Sequence, residues 1–307
     1  MGLAAILFAI FIQKEWRGAR AGSFDWPGFL CVVCFMPLLI FALARGNSPL
    51  NPEGWSSPEV IGCFAVAAAA LIVFIVRELR CENPLLNLKL LGERNFGVSM
   101  AVLAIFGIGM LGGTYLLPLY MQKGLGYTAI MAGSVFLPVG LIQGVLSTCS
   151  GFLTRYIKPL FIAVTGILVM TLSFYFASRF TLHTTHAQIM LVLYLRGFGM
   201  GLTFAPLNDF SLMNLSQRDM ASAAGISNSI KQLSGSVSIA LLTVILTGRT
   251  AFHSAQGGLS SAESYVAGIS DDFLFVTFVS LASALPFLWL LRPRRKAASF
   301  KSEGTGT

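Results

Sequence analysis

Residues 59–76 read EVIGCFAVAAAALIVFIV, eighteen positions whose only charge is the opening Glu59. At about 1.5 Å per residue, a helix of that length nearly crosses the ~30 Å hydrocarbon layer of a bilayer. The run does not alternate apolar with polar residues, as a strand of a membrane barrel does. In lipid every backbone N–H and C=O must find its partner internally, which leaves the helix. Seven further runs of this kind follow from the sequence: 27–44, 97–119, 128–149, 159–177, 187–210, 222–246 and 271–291. The expected fold class is an all-α polytopic membrane protein. The bulk composition agrees. Of 307 residues, 55% are hydrophobic and 11% charged, against about 25% charged in soluble domains, and the mean hydropathy is +0.75. So few charges exclude an ordinary soluble enzyme, a disordered chain, a coiled coil and a nucleic-acid binder.

Residues 2–12 form a shorter apolar run. It reaches about half way across a bilayer before Gln13-Lys14-Glu15. A signal peptide has its charges before the apolar run, not after it. The order here predicts the end of a longer helix, with residues 1–24 forming a partial helix and a linker. Helix starts are marked by Asp25 before Trp26-Pro27 and by Ser57 before Pro58-Glu59. Asp271-Asp272 is expected to open the last helix, where acids suit the dipole. The loop 248–270, rich in Gly, Ser and Ala, is expected to stand outside the membrane.

The eight runs sort the loop cations into two sets. One set holds Lys14, Arg17, Arg20, Arg77, Arg80, Lys89, Arg94, Arg155, Lys158, Arg218, Arg292, Arg294, Arg295, Lys296 and Lys301. The other holds Arg45, Lys123, Arg179 and Arg249. The fifteen-to-four bias places the first set in the cytoplasm, and both chain ends with it, in a multi-pass protein of the cell (inner) membrane. The net charge of +8 follows from the same loops and implies no nucleic-acid partner.

Little in the chain suggests covalent chemistry. Hydrolase elbows, HExxH motifs and phosphate loops are absent from the sequence. Gly197-Phe198-Gly199-Met200-Gly201 has the outline of a dinucleotide turn, but Leu202 follows it and the stretch lies inside a span. His183 and His186 are too few for a metal site, and Cys31-x-x-Cys34 reads as packing. No catalytic residue, metal or organic cofactor is expected. The spacing of four in Gly109/Gly113, Gly140/Gly144 and Gly197/Gly201 predicts close helix contacts.

Charges inside the spans matter more. Arg196 and Lys231 each lie about nine residues into a span, near the midplane. A cation there faces a polar cavity or a partner, because lipid exposure costs at least ~2.5–3.5 kcal/mol. Both are expected to face a concave side, with Gln143 and Asn228 as polar lining. Asp209 reads as the one acid well inside a span, about 20 Å along the same helix from Arg196.

Ordered tracts then carry a resemblance. They begin with Phe24-Asp25-Trp26-Pro27-Gly28-Phe29 and Gly54-Trp55-Ser56-Ser57-Pro58, followed by Asn83-Pro84-Leu85-Leu86-Asn87-Leu88 and Arg94-Asn95-Phe96. Next come Leu117-Pro118-Leu119-Tyr120-Met121-Gln122, Gly126-Tyr127-Thr128-Ala129 and Leu137-Pro138-Val139-Gly140. The last two are Leu195-Arg196-Gly197-Phe198-Gly199-Met200-Gly201 and Asn228-Ser229-Ile230-Lys231-Gln232. The series, over about 24–247, resembles the fourteen-helix drug:proton antiporters of the major facilitator superfamily, the EmrB/QacA-like branch. The resemblance implies an accessory helix pair over 25–77, a cytoplasmic loop over 78–95, a C-terminal six-helix bundle over 96–291 and a cytoplasmic tail over 292–307. It implies that the N-terminal half is absent. Gly151-Phe152-Leu153-Thr154-Arg155 resembles the superfamily's cytoplasmic gating loop, with Gly151 and Arg155 in place but Thr154 where an acid is usual. Lys231 stands where the family usually has Arg.

The implied function is export of an amphipathic small molecule driven by the proton gradient. The implied partners are the lipid bilayer, that small substrate, and a separate N-terminal half or a second copy of the chain. A truncated, non-transporting membrane protein or an assembly or regulatory subunit is the alternative at this point.

Overall fold

The computed structural model describes residues 25–290, apart from 47, 49–50, 82–85 and 257. The partial helix expected at 1–12 and the tail 292–307 lie outside the described residues. Two paired helices come first, α1 (Trp26–Gly46) and α2 (Pro58–Arg80). Asp25 caps α1, because its Oδ1 accepts the Gly28 N–H at 3.1 Å. The same oxygen accepts from Arg77 Nε, near the far end of α2, at 2.8 Å. At the opposite end Arg45 meets Glu59 at 3.3 Å, so the two helices run antiparallel. Burial pushes the Asp25 carboxyl up, but the bonds from Arg77 and Gly28 outweigh it and hold the group below the usual carboxylate range. Ser57 occupies the start of α2 without a side-chain capping bond, so Pro58, with no N–H to satisfy, marks that start.

The next helix, α3 (Arg94–Leu119), widens into a π-turn at Tyr120–Gly124 just after Pro118, which removes one N–H from the ladder. The expected span 128–149 is two helices, α4 (Ala129–Ser134) and α5 (Leu137–Leu153). Pro138 sits in the first turn of α5 and has no N–H to bond the carbonyl of Ser134, four residues back, which interrupts the ladder there. Then come α6 (Pro159–Ala177), α7 (His186–Leu212) and α8 (Met220–Ala255). The last two are α9 (Ser261–Ala282) and α10 (Leu285–Leu290).

One boundary corrects the sequence reading. The stretch 248–270 is largely helical: α8 continues to Ala255, and α9 begins at Ser261 rather than at 271. The Ser260 hydroxyl accepts the Glu263 N–H at 3.2 Å, and the Glu263 carboxylate accepts the Ser260 N–H at 2.8 Å. This capping box starts the helix. Asp271 and Asp272 therefore lie in the middle of α9, not at its beginning.

Small residues set the packing. Along α6 and α7, a Cβ built on Gly166 would meet Gly199 O and Thr203 N at 2.8 Å, and one on Gly199 would meet Met170 N at 2.8 Å. Backbones this close leave room only for glycine. The helices α3 and α8 run in the same direction. Gly107 lies against Ser234, and the Ser238 hydroxyl donates to Ile108 O at 2.6 Å. The helices α5 and α7 are also parallel, with Gly197 against Val139 and Gly201 against Leu146. Phe106, Leu116, Phe174, Met170 and Phe273 fill the middle. On the flank α1 and α2 pack on each other, and α1 touches α8. Their outer faces expose Leu30, Val66 and Ile72, apolar surface suited to hydrocarbon. Eight helical units among the described residues are long and apolar enough to cross a membrane.

A cation-lined cavity as candidate functional site

Because α3 and α8 are parallel, their register can be read from contacts. Gly107 pairs with Ser234 and Tyr115 with Thr243, whose hydroxyls lie 3.2 Å apart. Two cavities follow this seam. The first, about 300 Å³, lies in the half of the bundle where α3 and α8 begin and α7 ends. Met100, Leu103, Phe204 and Leu207 supply its apolar wall, and Asn208, Asn228 and Lys231 its largest polar groups. The second, about 340 Å³, lies further along, lined by Leu111, Thr114, Tyr115, Gln232 and Ser236 among others.

Lys231 belongs to the first cavity. Its Nζ stands 5.4 Å from the centre of the Phe204 ring, a cation–π distance. Among the described residues it makes no ion pair. Phe204 is in turn held edge-on by Phe106 at 6.3 Å.

Arg196 is placed differently. It is 4% exposed and lies in the seam between α7 and α3, not on the first cavity's wall. Its Nη2 donates to Met110 O at 3.0 Å and to the Thr114 hydroxyl. Thr114 itself donates to Met110 O at 3.0 Å. The Arg196 Nε is buried with no hydrogen-bond partner. Burial among helices, not a concave face, thus surrounds the guanidinium, which reaches the second cavity only through Thr114. By helix register the two cations are separated by roughly 10 Å along the bundle axis. Asn228 lines the first cavity beside Lys231, and Gln143 lines neither; its backbone carbonyl lies against Gly201.

The glycine pairs also divide. A Cβ on Gly113 would meet Phe174 Cε1 at 2.5 Å, and one on Gly201 would meet Leu146 Cβ at 2.7 Å. Gly109 has ordinary contacts at 3.6 Å. Gly140 and Gly144 have nothing within 4 Å. The close contact expected of that pair is corrected: α5 presents Val139, Ile142 and Leu146 to α7, and these two glycines lie off that side.

At the loop after α5, Gly151 has open space around it, and the Arg155 guanidinium lies 5.5 Å from the Phe152 ring. The Thr154 hydroxyl donates to Gly151 O at 2.7 Å and stands 3.5 Å from Asp209 Oδ2. Asp209 is exposed at that end. The acid usual at 154 is therefore replaced by a hydroxyl facing an acid on the neighbouring helix.

A candidate site residue missed by the sequence reading is Asp272. It is fully buried, and neither carboxyl oxygen has a hydrogen-bond partner. It replaces Asp209 as the acid deepest in the bundle among the described residues. Its neighbour Asp271 turns to α8, taking Arg249 Nε at 2.6 Å and His253 Nε2 at 2.8 Å. The signal was available: Ser260-x-x-Glu263 is a capping-box pattern, and it moves the helix start ten residues earlier.

The family model described as Major Facilitator Superfamily matches residues 1–239. The MFS-type transporter YhcA of Bacillus subtilis (strain 168) is 31% identical over 257 residues, covering 83% of this chain and 47% of its own. The multidrug export protein EmrB of Escherichia coli (strain K12) is 30% identical over 259 residues, covering 83% and 50%. The puromycin resistance protein pur8 of Streptomyces alboniger is 27% identical over 311 residues, covering 97% and 60%. The chain spans about half the length of the curated relatives it matches.

Proposed function

Because the chain belongs to the major facilitator superfamily, we propose that it supplies one six-helix bundle of a proton-coupled exporter of amphipathic drugs, working by alternating access. The observation that carries this reading is the first cavity. It joins an apolar wall and a few polar groups to one unpaired cation, the composition of a small-molecule site. The resemblance to EmrB and pur8 supports drug export as the task. Alternating access moves two bundles about a shared site. The second bundle would come from an N-terminal half or from a second copy of this chain.

In this reading the end bearing Arg155 and Lys158 faces the cytoplasm, by the loop-cation bias, and the first cavity opens toward that side. The cycle takes substrate from the cytoplasmic half, reorients across the close glycine seams and releases it outside. Coupling requires a group that gains and loses a proton. Arg196 stays charged throughout. Asp272 supplies the carboxyl, with Asp271, Arg249 and His253 at the outer mouth above it.

Accumulation of a fluorescent dye in efflux-deficient cells tests this. The chain alone should insert and leave accumulation unchanged. The chain joined to the N-terminal half of a similar exporter should lower it, until a protonophore collapses the gradient. Export by the chain alone would refute the two-bundle scheme. A folded, inserted pair that never exports would favour a regulatory subunit.

A further inference from the structure

The charge pattern of the two cavities names a substrate class. We propose that the first cavity selects amphipathic organic anions, a carboxylate or sulfonate head on a hydrophobic body, over the corresponding cations. This rests on the reading above that the cavity is the substrate site. Neither cavity has an Asp or Glu among its lining residues. Two acids close in sequence to the lining residues lie outside both linings: Asp209 is exposed and takes the Thr154 hydroxyl at 3.5 Å, and Asp219 takes the Ser216 hydroxyl at 2.8 Å and the Asn87 amide at 3.2 Å.

Lys231 is therefore a cation waiting for its counter-charge. Its one described attraction is the Phe204 ring, which holds the ammonium at the edge of the apolar wall. An anionic head meeting Nζ there lays its body against Phe204, Leu103 and Met100, and Asn208 and Asn228 donate to its remaining oxygens. A lipophilic cation in the same place would put a second positive charge beside Lys231. Further along the seam, the next charge is Arg196, behind Thr114. An anion moving from the first cavity to the second thus passes from one cation to another, with no acid on either wall.

Binding to the purified full chain in detergent micelles or nanodiscs tests the inference without requiring transport. The probes are a dansyl-labelled fatty acid, its methyl ester and a trimethylammonium amphiphile of matched length. The acid is expected to bind about 10-fold tighter than either, which corresponds to ~1.4 kcal/mol. Its advantage should vanish in Lys231→Gln and persist in Lys231→Arg. If Lys231→Gln fails to fold, the wild-type chain alone decides: the advantage over the ester must disappear as the ligand's own carboxyl is protonated at low pH. Equal affinities, or a preference for the cation, would overturn the proposal. A clear anion preference in a complete transporter that exports nothing would sink the transport reading and leave this one standing. Export without charge preference would do the reverse.

Discussion

Gly166→Ala and Gly140→Ala make the same chemical change on two transmembrane helices and should act with opposite sign. At Gly166 the new methyl would sit 2.8 Å from Gly199 O and Thr203 N, and ordinary contact begins at 3.4 Å. The Thr203 hydroxyl lies nearer still and can turn away, but the two backbone atoms cannot. The helices α6 and α7 must part by roughly 0.5 Å, a gap that forfeits about a quarter of the dispersion well at each contact along the seam. Overpacking of this kind costs about 1–3 kcal/mol. Replacing glycine inside a helix returns up to ~1 kcal/mol. The net expectation is a loss of about 1–2 kcal/mol. At Gly140 there is nothing within 4 Å, so only the propensity gain remains and stability should rise. Thermal unfolding in detergent, followed by tryptophan fluorescence and circular dichroism, measures both. A Gly166→Ala protein at least as stable as wild type would refute the packing argument, as would a Gly140→Ala protein equally damaged.

Three further outcomes follow from the geometry. Asp25 is held below its unfolded-state pKa, so its bonds to Arg77 and Gly28 stabilise fully above the unfolded value and are lost as pH falls through the folded one; Asp25→Asn should lower neutral-pH stability and flatten the acid limb of the unfolding curve, and an unchanged acid limb would count against the contact. Asp272→Asn removes a carboxyl that accepts no hydrogen bond, so the melting temperature should hold while proton-driven export by the complete transporter is lost; a well-folded variant with normal export would remove Asp272 from coupling. Reporter fusions near Lys158 should read cytoplasmic and near Gly258 external, and the reverse pattern would invert the threading.

The span count was legible because composition alone forces it: runs such as Ala65–Val76 have no other stable form in lipid. The Asp25 cap was legible because its partner is three residues away. Facing was not. On α7 apolar residues lie all round, so the depth of Arg196 could be read but not that it turns into the seam toward Met110 while Lys231 turns into the cavity. The glycine spacing carried the same ambiguity: four residues put Gly140 and Gly144 on one face as surely as Gly197 and Gly201, yet only the second pair meets a neighbour. The α8–α9 hairpin escaped for another reason. Its Ser, Gly and Ala residues lower hydropathy without breaking a helix, and a hydropathy window reads that as loop.

The length of α8 has a mechanical side. Its 36 residues extend about 54 Å, against a hydrocarbon layer of ~30 Å. Lys231 lies about a third of the way along, so Ala255 is about 36 Å beyond it. Such a rod is a lever with its short arm in the cavity. A tilt of ~10° pivoting at Lys231 swings the far tip by about 6 Å, carrying Arg249 and His253, and through Asp271 the first half of α9, with it. The short arm, from Met220 to Lys231, is about 16 Å long and moves by about 3 Å for the same tilt, so length alone roughly doubles a displacement made at the cavity end.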